Sequence, residues 1–422
     1  ESNATQWSLM SYLARINYTL KHKYLFSVNA RVDGSSRFGT NNKYGFFPSA
    51  SAGWRISEEA FMEPVKEVIS NLKLRASYGF TGNTEIGVYE SLATLGTSNW
   101  ILGNQLVSGF FPNKIPNPDL KWERTGQFDI GLDLGLFNNR LRITTDYYKK
   151  KTTDLLYSVA VPATSGYQTM LKNIGSIENQ GYELSIESDN LTGAFSWTTA
   201  FNIAFNRNKV LELGGEEYKE MAEGDGHLKT GSVRRLIVGE PIGVFYGYRF
   251  DGIFQNEEEC KQQTSSASPI GVGLRRYKDL NGDGKVDAAN DREILGDANP
   301  KFFGGLTNTF AYKGFELNVF LQYSYGNKIL NYNAMELENP TGGQNAYADM
   351  VNRWTPENPS NIYPKATTNR ALLVSDRFIE DGSYLKLKTL SLSYSFPKIN
   401  LKHIQGLRLY VTCLLYTSPS PR

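Results

Sequence analysis

Features that would point to a soluble enzyme or a nucleic-acid-binding protein are scarce in this sequence. Its 422 residues carry a formal net charge of only +2, so charge gives no case for nucleic acid or an anionic surface as a partner. There are three histidines and two cysteines; Cys260 and Cys413 allow one disulfide at most and make no metal cluster. The motifs HExxH, GxSxG, GxxxxGKS/T and CxxC are all missing, so nothing supports an enzyme.

Long hydrophobic runs are missing as well. No stretch approaches the roughly 18 consecutive apolar residues that a membrane-spanning helix needs, and hydrophobic residues make up 40% of the chain. This does not exclude a membrane β-barrel, because its apolar residues are hidden in alternation with polar ones. No signal peptide is visible after Glu1, and we expect that the start of the gene is missing.

The residues that are abundant favour strands and turns, with 39 glycines, 25 tyrosines and 23 phenylalanines. Residues 296–325 show the pattern most clearly, because two long runs flank a small turn at Lys313-Gly314. Period-two alternation indicates strands with one apolar and one polar face, and tilted strands of about ten residues are long enough to cross a bilayer. In the second run, polar residues separate Phe315, Leu317, Val319, Leu321 and Tyr323, although Phe320 is an exception.

Similar alternation recurs along the chain and predicts about twelve strands. A short helical connection is expected at 58–70, and long loops at 83–119 and 211–299, with two further loops before 177 and before 383. The first two strands lie on either side of Lys21-His22-Lys23, the second of them at 24–33. The others are predicted at 46–57, 71–82, 120–137, 141–156, 177–189, 195–210, on both sides of Lys313-Gly314, at 383–396 and at 407–412.

Short turns and long loops alternate strictly in this prediction, as the periplasmic turns and extracellular loops of membrane barrels do. The alternative is a soluble β-solenoid or a large sandwich, but loops of this length are unusual in compact soluble domains. Aromatic residues also flank nearly every short turn, as in the belt at a membrane interface. They are Tyr18, Tyr24, Trp54, Phe137, Phe195, Trp197, Tyr312, Phe315, Tyr394 and Phe396.

Several long segments resemble the SusC/RagA family of TonB-linked outer-membrane proteins, in the order in which that family has them. The resemblance implies an all-β, transmembrane antiparallel β-barrel in the bacterial outer membrane, with about 12 of an expected 22 strands in this chain. The segments are KYGFFPSASAGWRISEEAFM (43–62), LKLRASYGFTGN (72–83), NPDLKWERTGQFDIGLDLGLF (117–137), NIGSIENQGYELSIES (173–188) and DGSYLKLKTLSLSYSFP (381–397).

The same resemblance implies active import of large nutrients, glycans first and oligopeptides next. A SusD-like surface lipoprotein would act as the lid, and the TonB–ExbB–ExbD complex would supply the energy through an N-terminal region that is missing here. Residues 1–412 would then be a partial barrel without the plug and first strands, surrounded by outer-membrane lipid. A passive porin, a surface-binding barrel or a soluble carbohydrate-binding β protein are the alternatives.

The C-terminal end departs from the family pattern. After residue 412 we expect the last strands to continue, but the chain ends in CLLYTSPSPR, whose prolines cannot donate to a strand ladder. We therefore interpret 413–422 as a non-native read-through tail.

An acidic, glycine-containing segment matches the first part of a calcium-binding loop. Oxygen-bearing side chains at positions 1, 3, 5 and 9 with glycine at 6 suit a hard cation, and no other cofactor is expected. Position 12 is Asn290 rather than an acidic residue, so the last ligand would be the next residue, Asp291. The alternative is a cluster of Asx turns without metal. The predicted ligands are Asp279, Asn281, Asp283, Asp287 and Asp291.

Aromatic residues in the long loops are candidates for stacking on sugars or gripping a peptide, with packing between loops as the alternative. The predicted substrate-binding residues are Trp100, Phe110, Phe111, Tyr246 and Trp354, and Trp122 and Tyr248 are further candidates. Charged residues in the strands are expected to line and hydrate a lumen rather than to carry chemistry. These are Asp129, Asp133, Arg142 and Asp146.

Overall fold

A computed structural model describes residues 4–167, 169–221, 232–338, 345–368, 373–396 and 406–414. It contains a sheet of twelve strands in which each strand is paired with the next of the twelve, so the prediction of about twelve strands is confirmed. The strands are β1 (Leu9–Leu20), β2 (Tyr24–Ser35), β3 (Tyr44–Arg55), β4 (Ile69–Asn83), β5 (Glu123–Leu136), β6 (Leu141–Thr153), β7 (Ser176–Thr192), β8 (Phe195–Glu212), β9 (Phe302–Tyr312), β10 (Phe315–Tyr325), β11 (Tyr384–Phe396) and β12 (Leu407–Leu414).

The register of this sheet gathers the alternating apolar residues on one face. Val28 of β2 lies opposite Ala50 of β3, which lies opposite Tyr78 of β4, which lies opposite Phe128 of β5. Among the described residues no second layer covers this row, since Val28 is 55% and Tyr78 51% exposed. Ile16 of β1 is 71% exposed. An uncovered apolar face on long strands is what a bilayer-facing sheet requires.

The short turns form where they were predicted, at Lys313-Gly314 and around Asn138-Asn139. Lys313 and Gly314 both have positive φ angles, 47° and 88°, as do Asn138 and Asn139, at 58° and 59°. Two successive positive φ values give the backbone twist that matches antiparallel strands, and Gly and Asn adopt them at low cost.

Aromatic rings contact each other across strands at the short-turn end. Phe315 and Tyr394 have ring centroids 4.5 Å apart, and Tyr24 stacks on Trp54 at 6.5 Å. The connection predicted as helical at 58–70 consists of two 3₁₀ helices, Ile56–Glu58 and Ala60–Val65, after which β4 begins at Ile69.

The predicted loop at 83–119 is wrong in its middle, which forms a hairpin of strands Thr94–Leu102 and Gln105–Lys114. Its glycines obscured the alternation: Trp100 lies over Gly109 and Phe111 over Gly96, filling the space of the missing side chains. The loop before 177 likewise contains paired strands Leu156–Ala160 and Thr169–Asn173 and the 3₁₀ helix Ala163–Ser165.

The chain divides into two compact units, residues 1–216, 304–322 and 386–422, and residues 217–303 and 323–385. The second unit has its own hydrophobic core, which includes Phe245, Met335 and Phe378. The two longest predicted loops therefore fold into ordered structure, because their apolar residues are close in space although they are far apart in sequence.

Short elements surround that core. Tyr218–Glu220, Arg234–Ile237, Val244–Tyr248 and Arg292–Gly296 form a four-stranded sheet. Two-stranded pairs are Phe250–Ile253 with Arg275–Tyr277, Thr264–Ser265 with Lys285–Val286, and Lys328–Leu330 with Ile379–Asp381. The helices are Glu257–Lys261 and Tyr332–Leu337, with 3₁₀ turns Ala348–Asn352 and Asp376–Phe378.

β12 continues to Leu414, two residues past the boundary predicted at 412, because Cys413 pairs with Leu390 and Leu414 with Thr389. The rest of the predicted tail lies outside the described residues.

Among the residues that the structure describes, no helix is both long and apolar enough to cross a membrane.

Candidate functional site

Charged side chains are gathered on the polar face of β4, β5 and β6. Arg75 contacts Asp133 at 3.4 Å and Asp146 at 2.8 Å, and Lys73 contacts Asp133 at 3.5 Å. Gly131 lies in the register between Arg75 and Asp146, and a Cβ there would be 2.3 Å from the Asp146 carboxylate. The missing side chain leaves room for the guanidinium to cross the middle strand.

The same face extends to β6 and β7 on one side. Arg142 pairs with Glu187 at 3.0 Å and Asp189 at 3.2 Å, while Asp129 accepts hydrogen bonds from Ser77 and Gln127. Asp129, Asp133, Arg142 and Asp146 therefore share one face, as predicted for residues that line a water-filled space. The structure brings them together as a polar wall.

A recess of about 520 Å³ lies on this polar face near the loop ends of β1 to β4. Arg15, Arg31 and Asp33 supply its charge, and Leu13 and Phe47 supply apolar walls. Sequence reasoning missed this site, because its members are spread over separate strands and only the register brings them together.

Trp100, Phe110 and Phe111 lie on the hairpin that was predicted as loop. Phe110 is 74% exposed, and Leu95, Ile101, Leu102 and Leu106 are also exposed there. The three predicted aromatic residues are therefore accessible to a ligand, and their role in binding stays a prediction.

Tyr246 and Trp354 lie instead in the second unit and pack against its own residues. The guanidinium of Arg235 lies 3.7 Å from the centre of the Tyr246 ring. Trp354 lies over Gly273 and donates a hydrogen bond to Gln255 at 3.1 Å. These contacts account for both rings as loop packing, which was the alternative, so the structure gives no separate support for substrate binding.

Trp122 and Tyr248 are buried, which removes them as accessible stacking surfaces. Trp122 packs with Phe38 and Phe47 and donates from its indole nitrogen to the Lys43 carbonyl at 3.1 Å. Tyr248 belongs to a small core with Tyr277 and Val286, and burial raises the pKa of its hydroxyl.

The acidic segment forms a compact loop in which its side chains bind its own backbone. Asp279 accepts from the amides of Gly282 and Gly284, both at 2.7 Å. Asp291 is fully buried and accepts from Leu280 at 2.8 Å and from Asp287 at 2.7 Å. The loop is thus held closed through the carboxylates of its first and last members.

The remaining predicted ligands make the bonds of Asx turns. Asn281 accepts from the Asp283 amide, and Asp283 from the Lys285 amide. Asp287 accepts hydrogen bonds from the backbone amides of Asn290 and Ala289. These bonds lower the pKa of the Asp287 carboxyl, and the bond from Asn290 has the largest effect. Within the described part of the chain, no group of three or more His, Cys, Asp or Glu side chains is arranged to hold a metal. The geometry accounts for the motif without calcium, and the calcium site stays a prediction.

A hydrogen-bonded cluster at Glu59 was not foreseen. The carboxylate accepts from the Tyr24 hydroxyl at 2.7 Å, the Lys23 ammonium at 3.0 Å and the Trp54 indole at 3.1 Å. These bonds, with Tyr24 contributing most and Lys23 next, lower the pKa of Glu59 from 4.5 to about 2. The cluster fixes the connection after β3 to the short-turn end of β2. The neighbouring residues ISEEAF gave no periodic signal for it.

Comparison with known proteins gives a family match. The family described as "TonB dependent receptor-like, beta-barrel" matches residues 1–220. The chain is 40% identical over 97% of its length to "TonB-dependent receptor P3" of Formosa agariphila. It is 32% identical over 97% of its length to "TonB-dependent receptor SusC" of Bacteroides thetaiotaomicron. The chain spans 41% of the length of the first relative and 40% of the second.

Solved structures with a similar fold include the one described as "Structure of the RagAB peptide transporter". The match has a TM-score of 0.80 and 27% sequence identity, and it covers 97% of this chain and 44% of that chain. The same importer in its "open-open" state matches with a TM-score of 0.78.

Proposed function

The chain belongs to the TonB-dependent receptor-like β-barrel family, and from this premise we propose that it imports large nutrients across the outer membrane. The proposal includes energy from the TonB–ExbB–ExbD complex and a SusD-like surface lipoprotein as partner. Its cargo would be a glycan or an oligopeptide. Family membership and the structural match confirm the predicted fold class, a transmembrane antiparallel β-barrel, and its location in the bacterial outer membrane.

One observation carries this proposal: the long strands present an exposed apolar side, and charged residues are gathered on the opposite, polar side of several of them. Ile16 and Tyr182 are 71% and 61% exposed on the apolar side. On the polar side, Arg75 is paired with Asp133 and Asp146. Apolar side chains on one face suit lipid, and paired charges on the other suit a water-filled passage.

The relatives support import rather than catalysis. They are named receptors, and the structural match at a TM-score of 0.80 is described as a peptide transporter. Since the chain spans 41% of the first relative's length, the energy source, the partner and the cargo of the whole protein belong to the proposal.

Uptake measured in cells tests the proposal. A strain lacking the gene, complemented with the wild-type gene or an empty vector, is given labelled octapeptides and labelled glycan octamers. We expect uptake of at least one cargo class only in the complemented strain, and its loss when a protonophore collapses the proton gradient. Uptake that is unaffected by the protonophore would show a passive porin instead.

A further inference from the structure

The floor of the recess on β1 to β4 is set by strand register. Arg15 of β1 lies opposite Asn29 of β2, which lies opposite Ser49 of β3, which lies opposite Gly79 of β4. A Cβ at Gly79 would be 2.5 Å from the Ser49 Cβ. This row forms the floor of the recess because the side chains of Asn29 and Ser49 are short and Gly79 has none. Arg15 is the long side chain at the end of this row. It lines the recess at this end.

The next row toward the loops forms the apolar wall. Leu13 lies opposite Arg31, which lies opposite Phe47, and Leu9 lines the recess beside them. Phe47 is buried, but Leu13 is 69% and Leu9 47% exposed. These aliphatic groups have no polar atom to offer to a ligand hydroxyl.

The two arginines of the recess differ in how their charges are compensated. The Arg31 Nε donates to both oxygens of Asp33, at 2.8 and 2.7 Å. The Arg15 Nε donates only to the amide oxygen of Asn17, at 3.1 Å. Among the ion pairs of the described residues, Arg15 has no carboxylate partner. Its two terminal nitrogens therefore carry an uncompensated positive charge at the recess.

From this arrangement we propose that the recess binds a carboxylate of an oligopeptide cargo, with Arg15 as the carboxylate-binding residue. The planar guanidinium fork matches a carboxylate with two parallel hydrogen bonds. The neighbouring aliphatic side chains, Leu9 and Leu13, suit an apolar side chain of the peptide better than a sugar ring, whose hydroxyls would be left without partners. The inference rests on the proposed function and names the cargo class at one site along its path.

Binding to the detergent-solubilised protein tests this inference without requiring transport. The probes are an N-acetylated octapeptide of alanine and leucine with a free C-terminal carboxylate and the same peptide as its C-terminal amide. We expect the free acid to bind the wild-type protein about tenfold or more tightly than the amide, because hydrogen bonds to charged groups are the strong ones. Arg15→Ala should remove that difference and leave binding of the amide unchanged.

Two further variants separate the guanidinium fork from simple charge. Arg15→Lys keeps the charge but loses the fork, and we expect it to retain only part of the preference for the free acid. Arg55→Ala removes an exposed arginine at the opposite end of β3 and should retain the full preference. Equal binding of acid and amide by the wild-type protein would overturn the inference, as would a preference that survives in Arg15→Ala.

The comparison with an oligogalacturonate of eight units tests the cargo class. Arg15-dependent binding of this acidic glycan, tighter than that of the free-acid peptide, would overturn the assignment to a peptide. Failure of the proposed import function has a different signature, since uptake would be absent or insensitive to the protonophore while the acid-over-amide preference of the purified protein persisted.

Discussion

Arg75 of β4 and Asp146 of β6 form an ion pair across the strand that separates them, with 2.8 Å between Nη1 and Oδ1. The intervening residue in the register is Gly131 of β5. A Cβ on Gly131 would lie 2.3 Å from the Asp146 Oδ1 and 2.6 Å from the Arg75 Cζ. The pair therefore depends on the absence of a side chain at one position of a third strand.

The first prediction is that Gly131→Ala breaks this pair and lowers the stability of the sheet. The expected cost is about 1 kcal/mol or more, because a hydrogen-bonded charge pair is lost and both partners are left half-buried. Thermal unfolding in detergent, followed by circular dichroism, measures it.

Gly53→Ala is the matched control for that substitution. Gly53 lies on the same polar face, and its Cβ would meet nothing closer than 3.4 Å, at Leu25. We expect a much smaller change for Gly53→Ala, and equal melting temperatures for the two variants would show that the crossing at Gly131 is unimportant.

The second prediction concerns pH and the Glu59 cluster. Because the pKa of Glu59 is lowered to about 2 in the folded protein, its contribution to stability is present above its ordinary pKa of 4.5. The contribution falls as the pH drops from there toward 2, where the folded carboxyl takes up its proton. Glu59→Gln should therefore have a lower melting temperature than wild type at pH 6. At pH 3 the difference between the two melting temperatures should be smaller.

Glu58→Gln controls for the loss of one negative charge in the same 3₁₀ connection, since Glu58 is exposed. Its melting temperature should follow wild type over the whole pH range. A constant gap between Glu59→Gln and wild type from pH 6 to pH 3 would contradict the role of the ionised carboxylate.

The third prediction addresses the acidic loop from Asp279 to Asp291. The calcium hypothesis predicts that millimolar Ca²⁺ slows amide hydrogen exchange in this loop relative to a chelator. The alternative, in which Asx turns alone hold the loop, predicts no change. Asp283→Asn, on the exposed side of the loop, should weaken any calcium response. Unchanged exchange rates in millimolar Ca²⁺ would remove the metal site.

The fourth prediction separates structural from exposed tryptophans. Trp354→Ala removes a ring that packs on Gly273 and bonds Gln255, and we expect a loss of about 2 kcal/mol or more in the second unit. Hydrogen exchange across 217–303 should then increase. Trp100→Ala removes a side chain that is 59% exposed and lies over Gly109 in the hairpin of the first unit, so exchange across 217–303 should stay as in wild type. Comparable effects of the two substitutions would contradict this division.

Local alternation predicted the main sheet well because it is a property of each strand by itself. Val28, Ala50 and Tyr78 each belong to a run with the two-residue period. They lie opposite one another because a shift of one residue would move the apolar side chains of a strand to the polar face of the sheet. The turn at Lys313-Gly314 was predictable for the same reason, since the type of turn depends on its own two residues.

The hairpin after residue 94 was missed because Gly96 and Gly109 interrupt its pattern, and the rings that cover them come from the opposite strand. The folded second unit was missed for a related reason. Its core joins Phe245 to Met335 and Phe378, which no local pattern connects. The recess around Arg15 and the Glu59 cluster also depend on residues that only the register brings together.

The account rests on the claim that one side of the long strands faces lipid and the other faces water. Spin labels at Val28 and Ala50 on the apolar face, and at Ser27 and Ser51 on the polar face, test it directly. The labels are placed one at a time in a protein whose Cys260 and Cys413 are replaced by serine, reconstituted in lipid vesicles. We predict that collisions with dissolved oxygen dominate at Val28 and Ala50, and collisions with a water-soluble nickel complex at Ser27 and Ser51. Equal accessibility of the two faces to both reagents, or protection of Val28 and Ala50 from both, would contradict the claim.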